Sequence, residues 1–269
     1  MNDVEAGGAR IPKLGLGTWQ LEGQACRETV AEALSLGYRH LDTAQGYENE
    51  EQVGQGLADS GVPRERVWVT TKLWVDDRSR EEVVQTARES RTRLGLDAID
   101  LLLIHWPPQR VPLEPSLEAL REVQEQGIAR HVGVSNFPAP LLERALELAP
   151  LVCDQVEYHP FLAQRELLEL TKRRGLALAA YSPLARGKVN DDPTLRAIGD
   201  KHGKTPAQVA LRWLIQQDQV VAIPKASSVE HLQENLAVLE FLLSTNEMQE
   251  IDGLARGERL IDPEFAPEW

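Results

Sequence analysis

The sequence predicts an α/β chain: a (β/α)8 barrel of the TIM type, opened by a short N-terminal β-hairpin and completed by extra helices and a C-terminal tail. Three observations predict it. Eight short apolar runs alternate with segments of helical period, no long polar linker interrupts them, and 269 residues suit one such domain, here residues 1–269. A doubly wound sheet would carry a different mark. Gly15 and Gly17 form a G-x-G, but no third glycine or downstream ribose-binding acid completes a dinucleotide fingerprint.

In chain order, residues 4–11 around Gly7-Gly8 read as the hairpin, and 13–19 as the first core strand. Helical periodicity over 26–36 ends at Gly37, the residue type that closes helices. Residues 39–42 are the second strand and 49–59 its helix; 67–72 and 80–94 form the third unit. The run 99–105 suits a strand buried on both faces, followed by a helix over 117–125. Strands at 131–135, 152–157 and 177–181 alternate with helices at 140–148 and 165–174. A helix over 206–216 leads to the eighth strand, 220–224; helices over 230–240 and 246–254 precede an irregular tail.

Composition excludes several functions. A net charge of −13 argues against a nucleic-acid partner and leaves any phosphate to be captured by local donors. Cys26 and Cys153 are too few for a disulfide framework and lack metal-ligand spacing, so no metal site is expected. The start Met1-Asn2-Asp3-Val4-Glu5 has no basic or apolar targeting region, and no run approaches membrane length. The expectation is a cytoplasmic protein without a membrane partner, monomeric because a closed barrel leaves no edge demanding one.

The chemistry concentrates at strand ends. Asp42 stands where the second apolar run stops and Tyr47 lies on the loop beyond it; Lys72 and His105 end the third and fourth runs. Singly, Asp42 reads as a loop cap and Lys72 as a solvated strand end, while Tyr47 reads equally as a loop anchor or an acid and His105 as a core histidine or a site residue. Together, delivered to one rim of a parallel barrel, they can form a proton-donating site.

A longer set of motifs stands around them. In order come Gly15-Leu16-Gly17-Thr18-Trp19, Leu41-Asp42-Thr43-Ala44 through Tyr47-x-Asn49-Glu50, Thr71-Lys72-Leu73-Trp74 and Leu103-Ile104-His105-Trp106-Pro107. Gly133-Val134-Ser135-Asn136-Phe137, Gln155-x-Glu157-Tyr158-His159-Pro160, Tyr181-Ser182-Pro183-Leu184 and Ile223-Pro224-Lys225 follow. The set resembles the aldo-keto reductases over nearly the whole chain. The ending Arg259-Leu260-Ile261 through Phe265-Ala266-Pro267-Glu268-Trp269 is similar to the bacterial 2,5-diketo-D-gluconate and methylglyoxal reductase branch.

That resemblance implies reduction of an aldehyde or ketone by NADPH or NADH, with Tyr47 as the acid that protonates the new alkoxide. An ordinary phenol has a pKa of about 10, so Lys72 is expected to stabilise the phenolate. Two unit charges about 4 Å apart at an effective dielectric near 20 interact by roughly 4 kcal/mol, which would draw the phenol well down, with burial opposing. Asp42 would hold the ammonium in place. His105 would donate to the carbonyl oxygen and fix the face that meets the hydride.

The resemblance places the nicotinamide carboxamide on Ser135, Asn136 and Gln155, all able to donate and accept, and the nicotinamide ring on Tyr181. Ser182, Pro183, Leu184, Arg186 and Gly187 would cover the pyrophosphate. Lys225, with Ser227 or Ser228, would meet an adenosine 2′-phosphate, and Glu234 and Asn235 the adenine. Two positions depart from the family pattern: Ala226 replaces a frequent serine, and His231 a frequent arginine, so NADPH preference is expected to be weak, with some NADH use. Trp19, Trp74 and Trp106 would wall a pocket for small carbonyl compounds, Trp68 reads as packing, and the tail could fold over the mouth. The alternatives are a cofactor-binding redox sensor or structural barrel with incidental activity, a Schiff-base lyase using Lys72, and a metal hydrolase. The complete set of four argues against loss of catalysis and the lack of paired His/Asp clusters against a metal hydrolase, while borohydride trapping of an adduct on Lys72 would support the lyase.

Overall fold

The structure, a computed structural model, describes residues 3–269; Met1 and Asn2, part of the stretch read for targeting signals, lie outside the described residues. Gly7 and Gly8, both at positive φ, turn β1 (Asp3–Ala6) onto β2 (Ala9–Pro12), pairing Asp3 with Pro12 and Ala6 with Ala9. Positive φ at both turn positions is the hairpin geometry that matches strand twist.

The alternation then runs as expected: β3 (Leu16–Gly17), α1 (Gly23–Leu36), β4 (His40–Asp42), α2 (Glu50–Asp59), β5 (Trp68–Leu73), α3 (Arg80–Arg93), β6 (Ile99–Ile104), α4 (Leu113–Glu125), β7 (Ala129–Ser135) and α5 (Ala139–Leu148). It continues with β8 (Leu151–Glu157), α6 (Arg165–Arg174), β9 (Ala177–Tyr181), α7 (Pro193–His202), α8 (Pro206–Gln216), β10 (Val220–Ala222), α9 (Val229–Leu236) and α10 (Thr245–Asp252). Among the described residues, β3 to β10 form one eight-stranded parallel sheet in chain order. Backbone bonds join its two ends: Gly15 N–H donates to Ala222 O (2.9 Å), Gly17 N–H to Pro224 O (3.0 Å) and Ala222 N–H to Lys13 O (2.8 Å). The sheet is thereby closed into a (β/α)8 barrel.

The seam explains why the first strand is shorter than its sequence suggests. A Cβ on Gly17 would lie 2.8 Å from Ile223 O, and one on Gly15 2.9 Å from the His40 ring, so neither position has room for a side chain. Inside the barrel, Leu101, Leu103, Cys153, Ala177, Ala179, Val221 and Ile223 pack together, and the hairpin's Val4, Ala6, Ala9 and Ile11 join them. The alternate strand residues Leu102, Ile104, Val132, Val134, Val156 and Leu178 pack outward against Leu117, Leu120 and Leu142 of the helices.

Helix ends follow their capping residues. Ser79/Glu82, Thr205/Gln208 and Ser244/Glu247 form capping boxes that open α3, α8 and α10. The sequence reading missed α7, although Asp192 accepts from Thr194 and Leu195 N–H, Pro193 starts the helix and Gly203 closes it. Helix α4 starts four residues earlier than predicted, because Pro115 falls in the first turn, where no N–H is needed. The predicted 230–240 helix is α9 followed by a tighter 3-10 turn, Ala237–Glu240. Among the described residues no helix is long and apolar enough to cross a membrane.

One buried group stands apart. Asp154 shares a face of β8 with outward-packed Val156, is fully buried, and neither carboxylate oxygen has a hydrogen-bond partner. Burial, the largest influence, pushes its pKa well above the usual carboxylate value. The folded state therefore holds a proton that the unfolded state has released, and stability falls as pH rises toward the raised folded value. Asp154→Asn keeps the shape and removes the ionisation, so it should raise Tm, and by more at pH 8 than at pH 5. Thermal unfolding at both pH values checks this; an equal gain, or a loss at pH 8, would contradict it.

Candidate active site

Parallel strands of a closed barrel all point their C-terminal ends at one rim, and the predicted site residues stand there. Asp42 ends β4, Lys72 is the penultimate residue of β5, His105 follows β6, Ser135 ends β7, Gln155 lies near the end of β8, Tyr181 ends β9, and Lys225 follows β10. Lys72 Nζ donates to Asp42 Oδ1 at 2.6 Å and to Thr43 O at 2.9 Å, and approaches Tyr47 Oη at 3.5 Å. Lys72 and Asp42 are 1% and 2% exposed, so this ion pair is shielded from solvent screening. The His105 ring meets the Tyr47 ring edge-on, centroids 5.8 Å apart.

Charge states follow from this packing. Burial alone would lower the Lys72 pKa, but Asp42 and then Tyr47 outweigh it, and the ammonium is held above its ordinary value. Burial and then Lys72 push His105 down to about 3, so its imidazole is neutral, with one ring N–H free to donate. Tyr47 differs from the sequence expectation. Burial, the largest influence, raises its phenol, and the pull of Lys72 does not overcome it. The reason is visible in the geometry: Asp42 neutralises much of the Lys72 charge, and the Nζ–Oη approach is long. Tyr47 is therefore fully protonated at neutral pH.

The loop carrying Tyr47 is pinned by two residues to which the sequence reading gave no role. Asn49 Nδ2 donates to Thr18 O and Leu21 O, both at 2.9 Å, and its Oδ1 accepts from Thr43 Oγ1 at 2.7 Å. Buried Glu50 accepts from Thr71 Oγ1 at 2.6 Å and from Arg93 at 2.8 Å. Their presence in the Tyr47-x-Asn49-Glu50 motif was the available signal.

The residues expected around the nicotinamide already bind one another. Ser135 Oγ donates to Gln155 O (2.7 Å), and Asn136 Nδ2 donates to His105 O (3.0 Å) and Ser135 Oγ (3.1 Å). Tyr181 Oη donates to Asn136 Oδ1 (2.7 Å), which fixes the half-buried tyrosine ring beside the rim. Gln155 turns its Nε2 to Asp42 Oδ2 (2.7 Å), so it also braces the ion pair. The 182–187 loop carries Ser182, Ala185, Arg186 and Gly187 at positive φ, with Pro183 buried and Leu184 packed on the core. Arg186 Cζ lies 5.9 Å from the Trp19 ring centroid, across the mouth.

Lys225 Nζ contacts Ser227 Oγ at 3.4 Å, and Ser228 caps α9 by accepting from the His231 N–H. These residues are exposed and gather a cation, hydroxyls and a helix N-terminus, a donor set that suits a phosphate. Half-buried Glu234 and buried Asn235 lie one turn further along, Asn235 against the Tyr38 hydroxyl. The residues present thus fit a nicotinamide dinucleotide along its length. Trp74 meets His105 edge-on at 6.2 Å, and Phe265 of the tail meets Trp74 at 5.1 Å and Trp106 at 5.4 Å. Phe265, which the sequence reading left inside a motif, thus packs against both tryptophans. Among the described residues no group of three or more His, Cys, Asp or Glu is arranged to hold a metal ion.

Comparison with known proteins agrees with this geometry. The model of the aldo/keto reductase family matches residues 13–256. Methylglyoxal reductase DkgB of Escherichia coli O157:H7 is 38% identical over 265 residues, spanning 96% of this chain and 99% of the relative. A crystal structure proposed to be that of a 2,5-diketo-D-gluconic acid reductase B superposes with a TM-score of 0.97 at 44% identity, covering 100% of this chain and 97% of that one. The Bombyx mori aldo-keto reductase in complex with NADP superposes with a TM-score of 0.90 at 35% identity, covering 97% and 94%.

Proposed function

The chain belongs to the aldo/keto reductase family, and from that premise we propose that it reduces small aldehydes and ketones to alcohols, methylglyoxal or 2,5-diketo-D-gluconate among them, with NADPH or NADH. Tyr47 is the proton donor, and one barrel, residues 1–269, acts as a cytoplasmic monomer. The observation that carries this reading is the buried Asp42–Lys72 pair, which reaches half-buried Tyr47 with neutral His105 beside it.

The nicotinamide supplies the hydride that adds to the carbonyl carbon. Tyr47 gives its proton to the carbonyl oxygen as negative charge develops there, and Lys72 stabilises the phenolate left behind. Asp42, held by Gln155, keeps the ammonium in place. The His105 N–H polarises the carbonyl and orients it. Ser135 and Asn136 would hold the carboxamide and Tyr181 the nicotinamide ring; the loop with Ser182, Arg186 and Gly187 would lie over the pyrophosphate, and Lys225, Ser227 and Ser228 would take a 2′-phosphate. Trp19, Trp74 and Trp106 shape the substrate pocket.

Cofactor oxidation with NADPH and NADH in parallel, across methylglyoxal, 2,5-diketo-D-gluconate, simple aldehydes and ketoesters, tests the reading. Turnover with both cofactors is expected. No oxidation with any carbonyl would overturn it. An arginine offers a permanent charge and a planar fork of donors that match a phosphate, which an imidazole lacks. His231→Arg should therefore tighten NADPH by roughly 1–2 kcal/mol and leave NADH nearly unchanged. Dissociation constants for both cofactors decide it, and unchanged NADPH affinity removes position 231 from the 2′-phosphate site.

A further inference from the structure

Glu157, the last residue of β8, lies inside the rim but outside the proton-donating group. It is fully buried, and its carboxylate accepts three hydrogen bonds. His159 Nε2 donates at 3.0 Å; the backbone N–H groups of Leu260 and Ile261 donate at 2.8 and 2.9 Å. His159 Nδ1 accepts from Phe161 N–H at 3.3 Å, which places the imidazole proton on Nε2, facing Glu157. Two of the three donors thus belong to the C-terminal tail, more than a hundred residues away in sequence. Phe161 O extends the same platform by accepting from Arg256 and Glu258 N–H, both at 3.1 Å.

Four residues beyond Ile261, within a turn that Ala266 N–H closes by donating to Pro263 O (2.8 Å), Phe265 lies edge-on between Trp74 and Trp106. The wall of the pocket is therefore hung from a buried carboxylate. We propose that Glu157 is a positioning residue that sets substrate selectivity, fixing through Leu260 and Ile261 where the tail lays Phe265 against Trp74 and Trp106. The proposal rests on the carbonyl-reductase reading above.

A carboxylate suits this role where an amide does not. All three donors are N–H groups, and an ionised carboxylate accepts them all with charge-assisted bonds. Burial would raise its pKa, but His159 and the two tail N–H groups hold it below the ordinary value, so it is ionised. A glutamine would turn an NH2 toward at least one of those N–H groups and lose that bond. With the tail loosened, small carbonyls lose the Phe265 wall, while bulky aromatic aldehydes gain room.

Glu157→Gln, Phe265→Ala and the double variant test this with methylglyoxal and a bulky aromatic aldehyde. In Glu157→Gln the bulky-to-small ratio of kcat/KM should rise about tenfold, the scale of a charge-assisted hydrogen bond. The change should fall in KM, with kcat for methylglyoxal and cofactor affinity nearly unchanged. Phe265→Ala should raise the same ratio, and the double variant should go no further than Phe265→Ala alone. Equal loss of kcat on every substrate, or additive effects in the double variant, would overturn the proposal. Ile261→Pro, which removes one donor and leaves Glu157 in place, should reproduce the shift and covers the case in which Glu157→Gln does not fold. Hydrogen exchange of the Leu260 and Ile261 amides reads the tether without turnover. Faster exchange in Glu157→Gln is expected, unchanged exchange counts against the tether, and a parent inactive on every carbonyl overturns the reductase reading instead.

Discussion

Tyr47→Phe is expected to lower the rate of carbonyl reduction by about 10²–10⁴-fold, the range for a positioned general acid. The substitution removes one oxygen atom and leaves the ring, so its edge-on contact with His105 is kept. Burial holds the phenol protonated through neutral pH, so the parent has its proton ready and the variant has none to give. His105, pushed down to about 3, is neutral and a poor substitute as acid. Cofactor affinity should stay within about twofold, since Tyr47 makes no contact with Ser135, Asn136 or Tyr181 that a lost hydroxyl would break. Single-turnover rates and cofactor dissociation constants measure the two effects separately. A variant that keeps most of its turnover on several carbonyls would remove Tyr47 from the chemistry.

The fold was legible because its signals are local. Apolar runs, helical period and Gly37 at a helix end speak within a few residues. Asp42, Lys72 and His105 were legible for the same reason, each marking where an apolar run stops. The length of β3 was not, because the close approach at Gly15 and Gly17 is made by His40 and Ile223, which sequence alone does not bring together. Nor was the tether at Glu157, whose partners are backbone amides of residues 260 and 261. The sign of the Tyr47 shift was hidden for a third reason. It depends on burial set against a lysine already paired with Asp42, and a spacing of residues carries neither quantity.

Lys72→Met should have two large effects with different causes, and a second substitution can separate them. The first is stability. Lys72 and Asp42 form a buried pair, and removing the cation leaves Asp42 with the Gln155 amide alone among its side-chain donors. Breaking such a pair from one side costs about 3–5 kcal/mol. Because the folded pKa of Lys72 is raised, its contribution is fully present below the ordinary lysine value and is lost only as pH rises through the folded one. That contribution is the same at pH 6 and pH 8. The carboxylate left buried without its cation costs more where it stays charged, so the drop in Tm should be larger at pH 8 than at pH 6. The second effect is catalytic. Without an ammonium nearby the phenolate of Tyr47 is left unsupported, and reduction should fall by orders of magnitude. Asp42→Asn added to Lys72→Met removes the orphaned charge, so Tm should recover much of the loss while the rate stays low. Recovery of the rate along with Tm would mean that Lys72 acts only through stability. Failure of Tm to recover would mean that the unpaired carboxylate is not what destabilises the single variant.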